Sequence, residues 1–193
     1  MMKKSISKQQ EKKKQKRTQW IAGSVLILVM MLSAFGIAAN SFVAPKEEKI
    51  IYKGLEFKQI NSYYVLEIGE AQFYFLTNPK TFDSLDAKIT LSNEIQIYIS
   101  KPLYVSSENP SFSRQIYQNM APYVERIQPA CLEEENCSNE DYPIKDCSNN
   151  FIIIKESTEN KIYEKDNCVF IEGKQEDLLT LTDKFILEII GIK

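Results

Sequence analysis

The chain has 193 residues, 24 Lys and Arg against 26 Asp and Glu, four cysteines, six glycines and no histidine. The missing histidine excludes a Ser-His-Asp or Cys-His nucleophile, an imidazole general base and every His-ligated metal, leaving Ser-Lys, carboxylate or tyrosine chemistry open. Neither Gly-x-Gly-x-x-Gly nor a P-loop occurs, so no phosphate cradle is expected.

The near-balanced charge hides an asymmetry. Residues 1–19 carry eight basic side chains (Lys3, Lys4, Lys8, Lys12, Lys13, Lys14, Lys16, Arg17) against Glu11, a charge of +7. The remaining 16 bases and 25 acids give −9. Between these parts, Trp20–Ala39 holds no charge, and the uncharged window runs from Thr18 to Pro45. Twenty residues of helix rise roughly 30 Å, the thickness of a bilayer's hydrocarbon core. The expectation is a single-pass transmembrane helix in the type II orientation. Residues 1–19 form its cytoplasmic tail, 20–44 the anchor, 45–53 a short stalk, and 54–193 the extracellular domain. Trp20 suits the inner headgroup layer. The alternative is a cleaved signal peptide, whose apolar region is typically ~7–15 residues and therefore shorter than this one. Either way the same domain is exported, and with the anchor retained the lipid bilayer is a partner through the N-terminal helix. The acidity of the exported part argues against nucleic acid.

Three strand-like runs open that part: Leu55–Ile60, Tyr63–Ile68 and Ala71–Leu76. Asn61-Ser62 separates the first two and Gly69-Glu70 the next, the latter suited to a type II′ hairpin. Ala71, Phe73 and Phe75 share one face, which predicts a β-meander with one buried side. Lys80–Leu85 follows Asn78-Pro79 as a helical turn. Glu94–Ser100 alternates Ile95, Ile97 and Ile99 and is read as a strand ended by Pro102. Asn109 and Pro110 open a helix over 111–127, with Phe112, Ile116, Met120, Tyr123, Val124 and Ile127 as its stripe and Pro122 as a break. Phe151–Ile154 reads as a strand buried on both faces. Lys161–Glu164 and Cys168–Glu172 make two more strands. A final helix over 175–190 buries Leu178, Leu179, Thr182, Phe185, Ile186, Ile189 and Ile190, with Gly191 as C-cap. The strand at 94–100, the helix and the strand at 151–155 suit a βαβ crossover. The fold expected is α/β: a mixed sheet with flanking helices, behind one N-terminal transmembrane helix.

All four cysteines, Cys131, Cys137, Cys147 and Cys168, fall in the exported part and read as two disulfides. Three pairings exist, and Cys137–Cys147 nested inside Cys131–Cys168 is the one favoured. Their gaps of five, nine and twenty residues do not suit a four-thiolate zinc site, and no Cys-x-x-Cys suggests redox chemistry. The acids Glu133, Glu134, Glu135, Glu140, Asp141 and Asp146 lack the ladder of a calcium loop. Asn136-Cys137-Ser138 is the one glycosylation sequon, with Asn136 as acceptor. Ser106, Ser107 and Ser111 near Lys101 are the serines a Ser-Lys hydrolase would use, with no motif around them. No catalytic residue, cofactor or metal is assigned.

Tyr52-Lys-Gly-Leu-Glu-Phe57, Asn78-Pro-Lys80, Ile97-Tyr-Ile99, Ala130-Cys131, Cys137, Pro143-Ile144, Cys147, Cys168-Val-Phe-Ile-Glu-Gly173 and Asp183-Lys-Phe185 together resemble an uncharacterised family of small archaeal single-pass membrane proteins with a four-cysteine exterior domain. The resemblance covers most of residues 50–192. It implies an anchored domain with a cysteine framework and carries over no catalytic residue. The function expected is a non-enzymatic structural or interaction role at the cell surface, with an unknown membrane or envelope protein as partner. The first rival is a small-ligand or ion-binding receptor, whose pocket would lie where strand ends meet the 131–150 loop. The second is a histidine-free hydrolase.

Overall fold

The computed structural model describes residues 8–41, 48–133, 137 and 139–193; Asn136 lies outside them. The chain divides into two compact units, 1–46 and 47–193.

The first unit contains helix α1, Lys8–Ser41. Side chains are described for 16–33, and every large apolar one from Trp20 to Leu32 is exposed, between 53% and 79%. Ser33 folds its hydroxyl back onto the Val29 carbonyl at 2.9 Å. Among the described residues no helix is long and apolar enough to cross a membrane, so the span expected over 20–44 is not found as such. The stretch 16–33 opens on Lys16-Arg17-Thr18-Gln19, which leaves 14 residues, about 21 Å of helix, before it ends. The side chains of Ala34–Ala39, which continue the uncharged run, are outside it.

The second unit begins with a four-stranded antiparallel meander: β1 (Glu48–Tyr52), β2 (Leu55–Ile60), β3 (Tyr63–Ile68) and β4 (Ala71–Phe75). Glu48–Tyr52 fall in the segment read as a stalk, yet they pair along β2. Charge masked the alternation of buried Ile50 and Tyr52 with exposed Lys49 and Ile51. Lys53-Gly54 closes that hairpin with both φ angles positive (48° and 78°), the requirement of a type I′ turn. Gly69, at φ 61°, takes the first turn position between Ile68 and Ala71, as expected.

A six-stranded mixed sheet follows. It holds β5 (Lys88–Thr90), β6 (Pro102–Ser107), β7 (Arg126–Pro129), β10 (Phe151–Glu156), β11 (Lys161–Lys165) and β12 (Cys168–Gly173), in the order β5-β11-β12-β10-β6-β7. The two-residue strands β8 (Cys131–Leu132) and β9 (Ile144–Lys145) pair separately. Helices α2 (Pro110–Met120) and α3 (Leu178–Ile189) complete the unit.

Three expectations change here. The alternating segment 94–100 is a 3₁₀ turn at Ile95–Ile97 and an irregular bend, and the strand lies just beyond it. Pro102 starts that strand, where its missing N–H is tolerated. α2 ends at Met120, because Pro122 cannot supply the next helical N–H; Tyr123 and Val124 sit in the following turn and Ile127 on β7. The crossover from β6 through α2 therefore reaches β7, with β10 parallel on the other side of β6. The central strand is as read: Phe151–Ile154 are all at most 2% exposed.

Period-two alternation splits the sheet's two faces. Leu103, Val105, Ile152, Ile154, Ile162, Val169 and Ile171 join the meander's Phe57, Leu66, Phe73 and Phe75 and both helices in one contiguous core. Tyr104, Phe151, Ile153, Cys168 and Phe170 point the other way and pack with Ala130, Leu132 and Cys147. The helices thus lie in a core shared with both sheets. This explains why α3 buries more than one stripe: Leu181, Asp183 and Leu187 are as buried as Phe185 and Ile186.

Side chains from the helices complete the hydrogen bonding of the β4 edge. Asn119 accepts from Tyr74 N at 2.8 Å and donates to Tyr74 O at 2.9 Å, as a neighbouring strand would. Gln115 also donates to Tyr74 O and to the Asp183 carboxylate. One Asp183 oxygen accepts from Leu76 N, Thr77 N and Thr77 Oγ1 at 2.7–2.8 Å.

Candidate functional site

β6 and β10 run side by side, with Ser106 opposite Ile153 and Ser107 opposite Ile154. Beyond these residues their connections part. β6 leads through α2 to β7 on one side; β10 returns to β11, two places away on the other. Such a divergence at the carboxyl ends of adjacent parallel strands leaves a crevice, the usual ligand site of open α/β sheets. A cleft of about 840 Å³ occupies it.

Four separated segments of chain wall the cleft on three sides. The strand ends contribute Ser106, Ser107, Glu108, Lys155 and Glu156. α2 contributes Pro110, Ser113, Arg114 and Tyr117, spaced i, i+3, i+4 and i+7 on a face adjoining that of buried Phe112, Ile116 and Met120. The connection after β7 contributes Pro129 to Leu132, then Asn139 and Tyr142.

Local bonds fix each wall. Ser107 Oγ donates to Asn109 O at 2.9 Å and accepts from Asn109 N at 3.3 Å, shaping the turn out of β6. Asn109 Oδ1 then accepts from Ser111 N at 2.9 Å as the α2 N-cap, with Pro110 in the first turn, as the sequence suggests. On the far side, Ala130 N bonds Val105 O at 3.1 Å, the last tie before the chain leaves β6.

The disulfides brace that far wall, in a pairing that overturns the nested one. Cys131 is bonded to Cys137 and Cys147 to Cys168, with Cα separations of 5.4 and 5.0 Å. Topology is the reason. Cys168 starts β12 directly opposite Phe151 at the start of β10, so the residue it meets is the one just upstream of β10, Cys147. Asn167 N bonding Cys147 O at 3.1 Å closes the same junction. Cys131 sits on β8, past the far edge of the sheet. With every thiol bridged, thiolate zinc ligation has no donors.

The charged groups of the cleft are of both signs. Lys155 is drawn to the buried Glu172, at 3.6 Å, and lies over the Phe170 ring. Burial works to raise the Glu172 pKa, but it is outweighed by bonds from Lys161 (2.8 Å) and the Tyr163 hydroxyl (2.8 Å) and by the Lys155 charge, so it ends below the ordinary value. Arg114, Glu108 and Glu156 are exposed, and among the described residues no salt bridge joins them. Burial raises the Tyr117 pKa, and the facing Tyr142 adds to this, placing the two phenols within electrostatic reach.

Other sequence-level candidates are dispersed. Lys101 precedes β6 and Ser106 and Ser107 end it, so about 16 Å of strand lies between the backbone positions of Lys101 and Ser106. Asp146 folds onto its own turn, accepting from Ser148 N and Asn149 Nδ2 at 3.0 Å and from the Ser148 hydroxyl; these bonds, led by the hydroxyl, hold its pKa low. Among the described residues no group of three His, Cys, Asp or Glu could hold a metal ion. Arg114, Tyr117, Tyr142, Glu108 and Glu156 were not singled out by the sequence. The one available signal was the polar face of α2 beside its apolar stripe.

Comparison with protein-family models, curated proteins and solved structures gives no match.

Proposed function

We propose that this protein is a membrane-tethered recognition domain, non-enzymatic, which binds a small ligand on the outer face of a cell membrane. The observation that carries the reading is the cleft between β6 and β10. Its site at the parting of two strand connections, its volume and its convergent hydroxyl, amide, phenol and charged groups are those of a ligand site. It also lies where strand ends meet the 131–150 loop. The disulfide framework suits an oxidising exterior.

The tether rests on α1 and its flanks. A helix with apolar side chains exposed on all sides is unfavourable in water and favourable in lipid. The uncharged run to Ala39 supports a spanning length, and the +7 tail favours a cytoplasmic N-terminus.

The test uses the full-length chain in detergent, screened by thermal shift against amino acids, peptides, sugars, polyamines and dicarboxylates. The reading expects at least one class to raise the melting temperature, and Ser106→Trp, which fills the cleft, to abolish that shift. Stability indifferent to every class would refute it.

A further inference from the structure

We infer that the cleft takes a zwitterion: a short peptide with both termini free. The inference rests on the ligand-site reading above and concerns what the site selects. Three observations carry it. First, the cleft holds charges of both signs that do not neutralise one another: Arg114 on the α2 wall, Glu108 where β6 turns into α2, and Glu156 at the end of β10. The fourth charge, Lys155, is already committed to Glu172. Among the described residues no salt bridge engages these three, and a neutral ligand would add none. A dicarboxylate would meet Glu108 and Glu156 as like charges, and a diamine would meet Arg114. A ligand bearing an ammonium and a carboxylate complements both signs at once. Arg114 supplies a planar fork suited to a carboxylate, and the two glutamates supply acceptors for an ammonium.

Second, the cleft's other groups match a peptide between its termini. Tyr117 and Tyr142 offer aromatic faces, and the half-buried Ser106 hydroxyl at the strand end can donate or accept. Third, about 840 Å³ falls in the range of pockets that enclose drug-sized ligands, enough for a few residues and too little for a folded segment.

The experiment is isothermal titration of the full-length chain in detergent with four probes: trialanine, N-acetyl-trialanine, trialanine amide, and the doubly blocked N-acetyl-trialanine amide. Maltotriose serves as a neutral probe of similar length and malonate as a dianion. Trialanine should bind, and blocking either terminus should weaken it at least tenfold. Arg114→Gln should lower trialanine affinity to that of trialanine amide for the wild type. Glu108→Gln with Glu156→Gln should lower it to that of the N-acetyl probe. All three positions are exposed, so the variants keep the fold, checked by their unchanged melting temperature. Equal affinity for the free and doubly blocked peptides overturns the inference. Binding of maltotriose or malonate, lost in Ser106→Trp, with none of trialanine, overturns the zwitterion and leaves the ligand site standing. Binding of no probe, in a chain indifferent to the thermal-shift classes, removes both.

Discussion

Asp183 is the residue whose chemistry departs furthest from its sequence context, a charged position among the buried residues of α3. It is fully buried, and burial pushes its pKa up to about 7, against the donors of Thr77, Leu76 and Gln115 that favour the carboxylate. A folded-state pKa above the unfolded value near 4 means that the folded chain holds a proton the unfolded chain has released. Its contribution to stability is therefore full below about pH 4 and falls as pH rises through about 7. Asp183→Asn keeps an acceptor for the three donors of the β4 end and cannot ionise. Urea unfolding at pH 5 and pH 8 should show the wild type losing stability across this window relative to Asp183→Asn; parallel behaviour of the two would refute it. Asp183→Leu, which strands three donors, should cost about 3 kcal/mol or more at either pH. Gly173 is constrained by space instead: a Cβ there would lie 2.3 Å from Leu181 Cδ1 and 2.6 Å from Asn160 Oδ1. Asn160 cannot easily retreat, since it caps Lys174 N and bonds Asp177. Gly173→Ala should lower stability by about 1–3 kcal/mol, the usual range for overpacking, read as a shift in the urea midpoint.

Among the elements, β4 poses the problem of a sheet edge inside a protein. Its Tyr74 backbone would be an unpaired template for another strand, and Asn119 removes that by pairing it from α2. Asn119→Leu fills the volume without the bonds. It should destabilise by about 1–3 kcal/mol through the orphaned Tyr74 N–H, since Gln115 still donates to Tyr74 O, and raise the aggregation rate on partial unfolding; calorimetry and light scattering read the two effects separately. Nothing in the spacing of Asn119 announced this role, because in sequence it is only the polar residue beside Met120. The same limit governs what could be read elsewhere. Strands whose pattern is set by local sterics were legible: the meander with its Gly69 turn, the doubly buried Phe151–Ile154 and the two separate strands β11 and β12. Ile95, Ile97 and Ile99 misled, because alternate residues of a 3₁₀ turn and bend also reach the core. Ile95 and Ile97 pack on it, while Ile99 is 46% exposed. The cleft was legible only as a place, where strand ends meet the cysteine loop. Its residues come from four separated segments that share no period, so topology alone assembles them.

For the whole molecule, the disulfides decide how much of the cleft's far wall is built by the fold and how much by cross-linking. Cys147–Cys168 ties the loop to the central strands across a separation of 21 residues, and Cys131–Cys137 closes only 6. Chain entropy alone assigns about 3 kcal/mol to the first and about 2 kcal/mol to the second. Their effects should differ in kind as well as size. Paired Cys147→Ser with Cys168→Ser removes a brace between the loop and the packed back face of the sheet, where Cys168 sits against Phe151 and Phe170. It should lower global stability. Paired Cys131→Ser with Cys137→Ser touches β8, whose two residues pair with β9 outside the six-stranded sheet. It should lower the urea midpoint less than the first variant does, while Tyr142 and Ile144 gain amide exchange, since the loop loses its closure and the core does not. The measurement is hydrogen exchange on both variants beside their unfolding curves. Equal loss of stability in the two would mean that the cleft's far wall is part of the cooperative core. Unequal loss, with fast exchange confined to the cleft wall in the second variant, would mean that this wall is a locally stabilised attachment on a sheet that folds without it. The separate β8–β9 pair and the second apolar cluster favour that outcome.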